Sequence, residues 1–412
     1  MPDLIIIADD LTGALDTAAG FAAAGWKTLA AVDPRGLSGA AGVWVVSTES
    51  RHLPPEQAAQ RVVAAWQALA GRLTPAENPA PGAIEHPFAG FQIYKKMDST
   101  LRGSPAFELR ALLQAAGLNR ALVCPAFPAL GRTVQGGRAY WNGQPLEQTE
   151  FGAQISTASL AELFQPLADL FPLYPERPGR APQTAGPGVW LADAATDAQL
   201  DQCVEDARRA GIAVLCGSAG LANALLRSSS AARDQAQPAQ PHRLVGPVLV
   251  VAGSRSAVTA RQVAFLEQTG MPVLTPPLEY LATGASRLLM DWLAGVNTDR
   301  QDSVLSACST PSLPLPAQLI AARLAQAAQE LTRRLQPGGW VLTGGDTAAA
   351  VCAALGAGVL ELHGAPMPGT AWGCLADGPF AGRQVITRAG GFGGPDNLLQ
   401  AVRFLRGAAH PP

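Results

Sequence analysis

Short apolar runs recur along this chain, and each ends in a polar or glycine-rich loop that leads into a helical pattern. Leu4 to Ile7 leads to Asp9-Asp10-Leu11-Thr12-Gly13-Ala14, and Val43 to Val46 leads to Ser47-Thr48-Glu49-Ser50-Arg51. Phe91 to Tyr94 leads to Lys95-Lys96-Met97-Asp98-Ser99-Thr100-Leu101-Arg102-Gly103. Ala121 to Cys124, Val189 to Ala192 and Ile212 to Cys216 repeat the arrangement, with alanine-rich amphipathic helices such as 55–70 and 198–210 between them. Strands that are apolar without alternation are buried on both faces, so these runs predict mainly parallel sheets covered by helices.

The texture breaks from Ser228 to His242, where Ser, Ala, Gln and Pro leave hardly a large apolar residue. That is a linker composition. Beyond it Val248 to Ala252 leads to Gly253-Ser254-Arg255-Ser256, helices are expected over 259–269 and 316–335, and Trp340 to Leu342 leads to Gly344-Gly345-Asp346-Thr347. A Pro-rich stretch over 74–90 reads as a surface insertion, because strands of the same kind flank it. A chain of 412 residues exceeds what one core organises. The expectation is an α/β protein of two α/β domains, 1–227 and 247–412, joined by a linker over 228–246, with an inter-domain active-site cleft.

Lys and Arg number 30 against 32 Asp and Glu, which provides no basic field for nucleic acid or an anionic membrane. The expected partner is a small molecule, and a homodimer is left open. The six cysteines form no CxxC and no close pair, as in reduced thiols of the cytosol. Cys124 follows a strand but has no nearby His, so a buried inert thiol is favoured over a nucleophile. No apolar run approaches the roughly 20 residues of a membrane span. Met1-Pro2-Asp3 runs directly into a strand without a basic region and cleavage site, so a cytoplasmic protein is expected.

Two adjacent carboxylates, Asp9 and Asp10, stand at a strand-to-helix junction, where one suffices as a helix cap. The other is left to accept hydrogen bonds from hydroxyls or to hold Mg²⁺. The Lys95-to-Gly103 loop is equipped for a polyhydroxylated anion: Lys96 or Arg102 for a carboxylate, Asp98 and Ser99 for hydroxyls. In Cys124-Pro125-Ala126-Phe127-Pro128-Ala129-Leu130-Gly131-Arg132, the prolines stiffen the exit from the strand, so a fairly rigid loop carries Arg132. Gly253-Ser254, Gly344-Gly345-Asp346-Thr347 and Gly390-Gly391-Phe392-Gly393-Gly394 are three glycine-rich strips in the second domain. Glycine lets a phosphate approach the free N–H groups of a helix start, so a nucleotide site is expected there. Neither the GxxxxGK[ST] loop nor the GxGxxG fingerprint of common nucleotide sites occurs. The five histidines lie far apart, and no protein metal site is assigned.

In this order the motifs resemble the four-carbon acid sugar kinases. The resemblance is carried by the Asp9-Asp10 loop, Lys95 to Gly103, Pro125 to Gly137, Leu146-Glu147-Gln148-Thr149, Gly217-Ser218-Ala219-Gly220, Gly253-Ser254 and Gly344 to Thr347. It implies a sugar-acid-binding N-terminal domain, a nucleotide-binding C-terminal domain, and transfer of phosphate from MgATP to a terminal hydroxyl. It implies substrate binding by Asp10, Arg51, Lys96, Met97, Asp98 and Ser99, with Arg102 added from the loop chemistry. ATP binding is implied for Ser254, Gly344, Gly345, Asp346, Thr347 and Gly390. Asp10 or Asp98 is the expected base, Arg51 and Lys96 the expected carboxylate holders, and Asp346 a Mg²⁺ contact through water. Asp9 is assigned to capping or to the metal. Arg51-His52-Leu53-Pro54 and Gly143 to Thr149 bring the chain nearest to members acting on D-threonate; D-erythronate, L-threonate, a 3-oxo-tetronate, or a non-catalytic sensor are the alternatives. One departure stands out. Where the family carries Lys-Ser-Gly, this chain has Arg388-Ala389-Gly390, which removes a hydroxyl and changes the geometry of the cation.

Overall fold

The computed structural model describes residues 3–32, 34–37, 42–73, 91–176, 186–230, 242, 244–297, 299–307 and 315–407. The chain divides into two compact units, Met1–Ala236 and Gln237–Pro412. Most of the stretch read as a linker, the insertion read over 74–90, and Cys308 lie outside the described residues.

In the first unit the strands are β1 (Leu4–Ala8), β2 (Thr28–Ala31), β3 (Val43–Ser47), β4 (Gln92–Lys96), β5 (Arg120–Cys124), β6 (Arg132–Gln135), β7 (Arg138–Trp141), β8 (Gln144–Pro145), β9 (Leu173–Glu176), β10 (Gly188–Ala192) and β11 (Val214–Gly217). The helices are α1 (Leu11–Ala23), α2 (Pro55–Ala70), α3 (Pro105–Ala116), α4 (Leu160–Leu163), α5 (Asp197–Arg209) and α6 (Ala219–Ser230). Pro55 and Pro105 open α2 and α3 at the first helical position, where a missing N–H costs nothing. Thr196 caps α5 through the N–H of Gln199.

Eight of these strands pair in the order β2-β3-β1-β4-β11-β5-β10-β9, all parallel. Strand order reverses at β1, with β3 on one side and β4 on the other. Ala8 is in register with both Ser47 and Lys96. The loops after β1, β3 and β4 therefore leave the sheet side by side, at the kind of switch point where open α/β sheets bind ligands.

The segment after β5 differs from the stiff loop expected of it. It continues into a small antiparallel sheet, β6-β7-β8. Two turns produce it. Gly136-Gly137 (φ 60° and 72°) and Asn142-Gly143 (φ 48° and 81°) are consecutive positive-φ pairs, the backbone that a two-residue hairpin demands. The Asp193 carboxylate, just past β10, accepts both turn N–H groups of Gly136 and Gly137 at 2.7 and 2.8 Å.

The second unit contains β12 (Val248–Ala252), β13 (Val273–Leu274), β14 (Ser303–Ser306), β15 (Gly339–Thr343), β16 (Val359–Gly364), β17 (Thr370–Leu375) and β18 (Gln384–Arg388). Its helices are α7 (Ala257–Gln268), α8 (Leu278–Thr283), α9 (Ser286–Ala294), α10 (Ala317–Leu335), α11 (Gly345–Ala354) and α12 (Asn397–Leu405). Strands β13-β14-β12-β15-β18 are parallel, and β17 and β16 continue the sheet antiparallel. Leu398, Ala401, Val402 and Leu405, at helical spacing on α12, pack with Val248, Val250, Val341 and Ile386 of the strands. Among the described residues no helix is long and apolar enough to cross a membrane.

Candidate active site

Arg51 gathers three aspartates of the first unit, Asp9, Asp10 and Asp98. The backbone N–H groups of Ser50 and Arg51 bond the Asp9 carbonyl at 2.9 and 3.2 Å, which fixes the loop after β3 against the loop after β1. Its Nε and Nη2 then grip Asp9 at 2.8 and 2.9 Å, while Nη1 and Nη2 reach Asp10 at 2.9 and 2.8 Å. Nη1 also stands 3.5 Å from Asp98 Oδ2. Asp10 Oδ1 accepts the Gly13 N–H at 3.0 Å and so caps α1. The division of labour expected for the pair is thereby corrected. Asp10 is the cap, and Asp9 faces a guanidinium that already occupies both of its oxygens.

These groups differ in how they hold a proton. Burial and the neighbouring Asp9 and Asp98 outweigh Arg51 and Lys96 at Asp10, and its carboxyl is raised above the ordinary 3.8. At Asp98 burial acts the same way, but Arg51 and Arg102, together with bonds from Arg102 and Thr100, prevail and hold it well below that value. Asp9 is also lowered: burial pushes it up, and Arg51, Lys95 and Lys96 more than offset this. Asp10 is in addition the most exposed of the three, its side chain 22% accessible against 4% for Asp9 and 8% for Asp98.

Lys95 and Lys96 end β4, and strand alternation sends them to opposite faces. Lys96 Nζ donates to the Met97 carbonyl at 2.8 Å and, among the described residues, has no carboxylate within ion-pair distance. Lys95 goes down into the core. It pairs with Glu108 of α3 at 2.6 Å, both side chains sealed from water, and donates to the Lys96 carbonyl at 2.9 Å. Glu108 accepts the Ser50 hydroxyl at 2.5 Å, Ser50 meets Thr48 at 2.6 Å, and Thr48 donates to the Ala8 carbonyl at 2.9 Å. One buried network thus underlies the ends of β1, β3 and β4.

Not every expected residue faces the site. The Met97 side chain is buried, its sulfur 3.8 Å from Cys216 Sγ. Arg102 is engaged by Asp98 at 2.7 Å. Ser99 accepts a hydrogen bond from Arg132 Nη1 at 2.7 Å, which brings the start of β6 to this loop. Sequence reasoning left out Glu108 and Asp16, and it named Lys95 and Arg132 on their loops without giving either a role. Asp16 had a signal, as the one charge in the helix LTGALDTAAGFAA, and it interacts electrostatically with Lys96 and Asp10.

In the second unit the glycine-rich strips converge because β12, β15 and β18 are neighbours, with Ala252 beside Thr343 and Thr343 beside Arg388. Gly344 donates its N–H to the Arg388 carbonyl at 2.9 Å and precedes α11, whose first turn carries Gly345, Asp346 and Thr347. A Cβ at Gly390 would lie 2.1 Å from Ser254 Oγ, and one at Gly253 would lie 2.2 Å from Thr347 Oγ1. The strips are packed to a distance that only glycine permits, and the start of α11 supplies N–H groups for an anion. Arg388 does not point at this cradle as a free cation. Buried beneath it, Nη1 donates to Gln262 Oε1 and Nη2 to the Phe392 carbonyl, while Gln262 holds the Phe392 and Gly394 carbonyls at 3.0 and 2.8 Å. Burial lowers its pKa to about 10.

Comparison with known proteins agrees with these two units. Residues 4–225 match a sugar-binding N-terminal domain family and residues 249–398 a nucleotide-binding C-terminal domain family. D-threonate kinases of Cupriavidus necator and Bordetella bronchiseptica are each 34% identical, over 99% and 98% of both chains respectively. A D-erythronate kinase of Heliobacterium modesticaldum is 29% identical over 98% of this chain and 97% of its own. A crystal structure from Salmonella typhimurium LT2 shares the fold at 22% identity, with a TM-score of 0.75 over 97% of this chain and 98% of that one. The chain belongs to the four-carbon acid sugar kinase family, whose members are phosphotransferases acting on acid sugars.

Proposed function

We propose that the chain transfers the γ-phosphoryl group of MgATP to the 4-hydroxyl of D-threonate. The observation that supports this acceptor over its alternatives is the gradient of identity, 31–34% to D-threonate kinases and 29% to the D-erythronate kinase over comparable lengths. In this reading MgATP supplies the phosphoryl group and neutralises the charge that develops on it. The chain's own residues position the acceptor and take its proton.

Asp10 is the base. A carboxylate offers about four acceptor positions. Gly13 and Arg51 use three of those on Asp10 and leave one on Oδ2. Its raised carboxyl suits proton acceptance better than the strongly held Asp98 does. Arg51 fixes Asp9, Asp10 and Asp98 in one constellation, and Lys96 is a cation free for the acid or the incoming phosphate. The cradle of Ser254, Gly344 to Thr347 and Gly390 would hold the nucleotide, and Asp346 is the residue that would meet its Mg²⁺ through water. Activity should be measured as ATP consumption on D-threonate, D-erythronate, L-threonate and a 3-oxo-tetronate, with ³¹P NMR to locate the phosphate on the product. D-threonate is expected to have the highest kcat/KM. Turnover confined to another acid would replace this acceptor, and binding of ATP and every acid without turnover would favour a sensor.

A further inference from the structure

Besides the buried Lys95, which Glu108 neutralises, four cations stand around the acidic constellation among the described residues of the first unit, and they differ in what already neutralises them. Arg51 is shared by three aspartates and Arg102 is held by Asp98. Lys96 rests on a carbonyl. The Arg132 side chain makes a single hydrogen bond, from Nη1 to the Ser99 hydroxyl at 2.7 Å, and among the described residues no carboxylate lies within ion-pair distance of it, Asp98 acting on it only from farther away. Its guanidinium carbon stands 5.7 Å from the centre of the Phe151 ring, and its Nε is buried.

The mounting of Arg132 is rigid. Phe127 donates to the Arg132 carbonyl at 2.7 Å and accepts its N–H at 3.1 Å, and Arg132 pairs with Trp141 across the β6–β7 hairpin. Asp193 ties down the far turn of that hairpin. A guanidinium held on one side by an aromatic face and on another by a hydroxyl has lost most of its rotamer freedom before any ligand arrives. Nη2 and the second hydrogen of Nη1 remain, and together they form the fork that grips a carboxylate in two places.

We infer that Arg132 is the receptor for the carboxylate of the sugar acid and the residue that selects an acid over a neutral polyol. The inference rests on the proposed function for its ligand; it reassigns the carboxylate from Arg51 and Lys96 to Arg132 and leaves Lys96 to the incoming phosphate. Ser99 then joins the two halves of the recognition surface, one hydroxyl bonded to the anion receptor on a loop that also carries Asp98.

Calorimetric titration of wild-type protein, Arg132→Gln and Arg132→Lys with D-threonate and with the neutral four-carbon polyol D-threitol tests this, alongside kcat and KM. Loss of a charge-assisted contact should weaken D-threonate binding about 10- to 150-fold in Arg132→Gln. D-threitol binding should stay within about threefold, and Arg132→Lys should recover part of the acid affinity. A merely structural role would weaken both ligands alike, and that result overturns the inference, as does an acid affinity that does not move. If Arg132→Gln fails to fold, Arg132→Lys decides: it keeps the charge but not the fork, and unchanged acid affinity then overturns a bidentate receptor. If wild-type protein turns over no four-carbon acid, the proposed function fails separately. Binding of D-threonate that still depends on Arg132 would then uphold the receptor, whereas no binding at all would overturn both.

Discussion

Replacing Glu108 by glutamine keeps the shape of the floor beneath the three site loops while removing one charge from a pair that water does not reach. Lys95 Nζ and Glu108 Oε2 are 2.6 Å apart, with side-chain exposures of 0% and 1%. At an effective dielectric of about 20 their attraction is about 6 kcal/mol. Desolvation of both ions offsets much of that, so the net value of the pair is small, but breaking it from one side strands the other charge. Such a change costs about 3–5 kcal/mol. The amide of glutamine is still able to accept the Ser50 hydroxyl, so the loss falls on Lys95 rather than on the Thr48–Ser50 chain.

The pH dependence gives the test its sign. Burial pulls the pKa of Lys95 down, and Glu108, then Asp9, carry it above the ordinary 10.5. A raised lysine stabilises the fold fully below its unfolded value and loses that contribution only as pH rises through the folded one. In Glu108→Gln burial prevails, and Lys95 sheds its proton more readily when folded than when unfolded. The deficit should therefore be greatest near about pH 7 and shrink toward about pH 9. Two compact units do not guarantee a single transition, so native-state hydrogen exchange of the β4 and α3 amides is the proper assay, supported by thermal melts. The double change Lys95→Met with Glu108→Leu should recover most of the loss. A deficit below about 1 kcal/mol, or one that grows with pH, would falsify the argument.

Asp10→Asn should lower kcat about 10²- to 10⁴-fold while D-threonate binding changes little, and a loss below about tenfold would remove Asp10 as the base. The acid limb of kcat/KM should lie above 3.8, with activity falling as pH drops through the raised Asp10 value. Arg51→Gln takes away the cation that lowers Asp10 and should shift that limb to higher pH, whereas Arg51→Lys should shift it less; a limb moving to lower pH contradicts the electrostatic assignment. Gly390→Ala drives a Cβ into Ser254 and should raise KM for ATP by about tenfold or more without changing KM for the acid. Adding Ser254→Gly should recover part of that, and an unchanged ATP KM would show that the cradle does not hold the nucleotide. Asp193→Ala leaves the Gly136 and Gly137 N–H groups without their carboxylate, so limited proteolysis should cut the hairpin faster; an unaltered digest would mean that β6–β8 holds without it.

The alternation of buried strands and helices is legible because sheets covered on both faces leave runs such as Leu4 to Ile7 with no polar position to break them. The β6–β8 hairpins escape that rule. Their strands are two to four residues long, and only the paired turns Gly136-Gly137 and Asn142-Gly143 announce them. The loops that carry the candidate site are legible for the same reason as the strands, since each is the first polar stretch after an apolar run.

What each charge does within those loops is not local information. Whether Asp9 or Asp10 caps α1 depends on Arg51, 41 and 42 residues further on, and Arg51 is held there by the register of β3 against β1. The same holds for the cations. Arg51, Arg102 and Arg132 look interchangeable as letters, yet a cation recruits a ligand only to the extent that its own protein has left it unneutralised. Aspartates pair directly with the first two, whereas among the described residues Arg132 contacts a hydroxyl and an aromatic ring and feels Asp98 only from beyond ion-pair distance. Spacing in the sequence locates the charged loops. Which guanidinium among them is free to receive an anion is decided by strand order, because strand order determines which carboxylates arrive beside it.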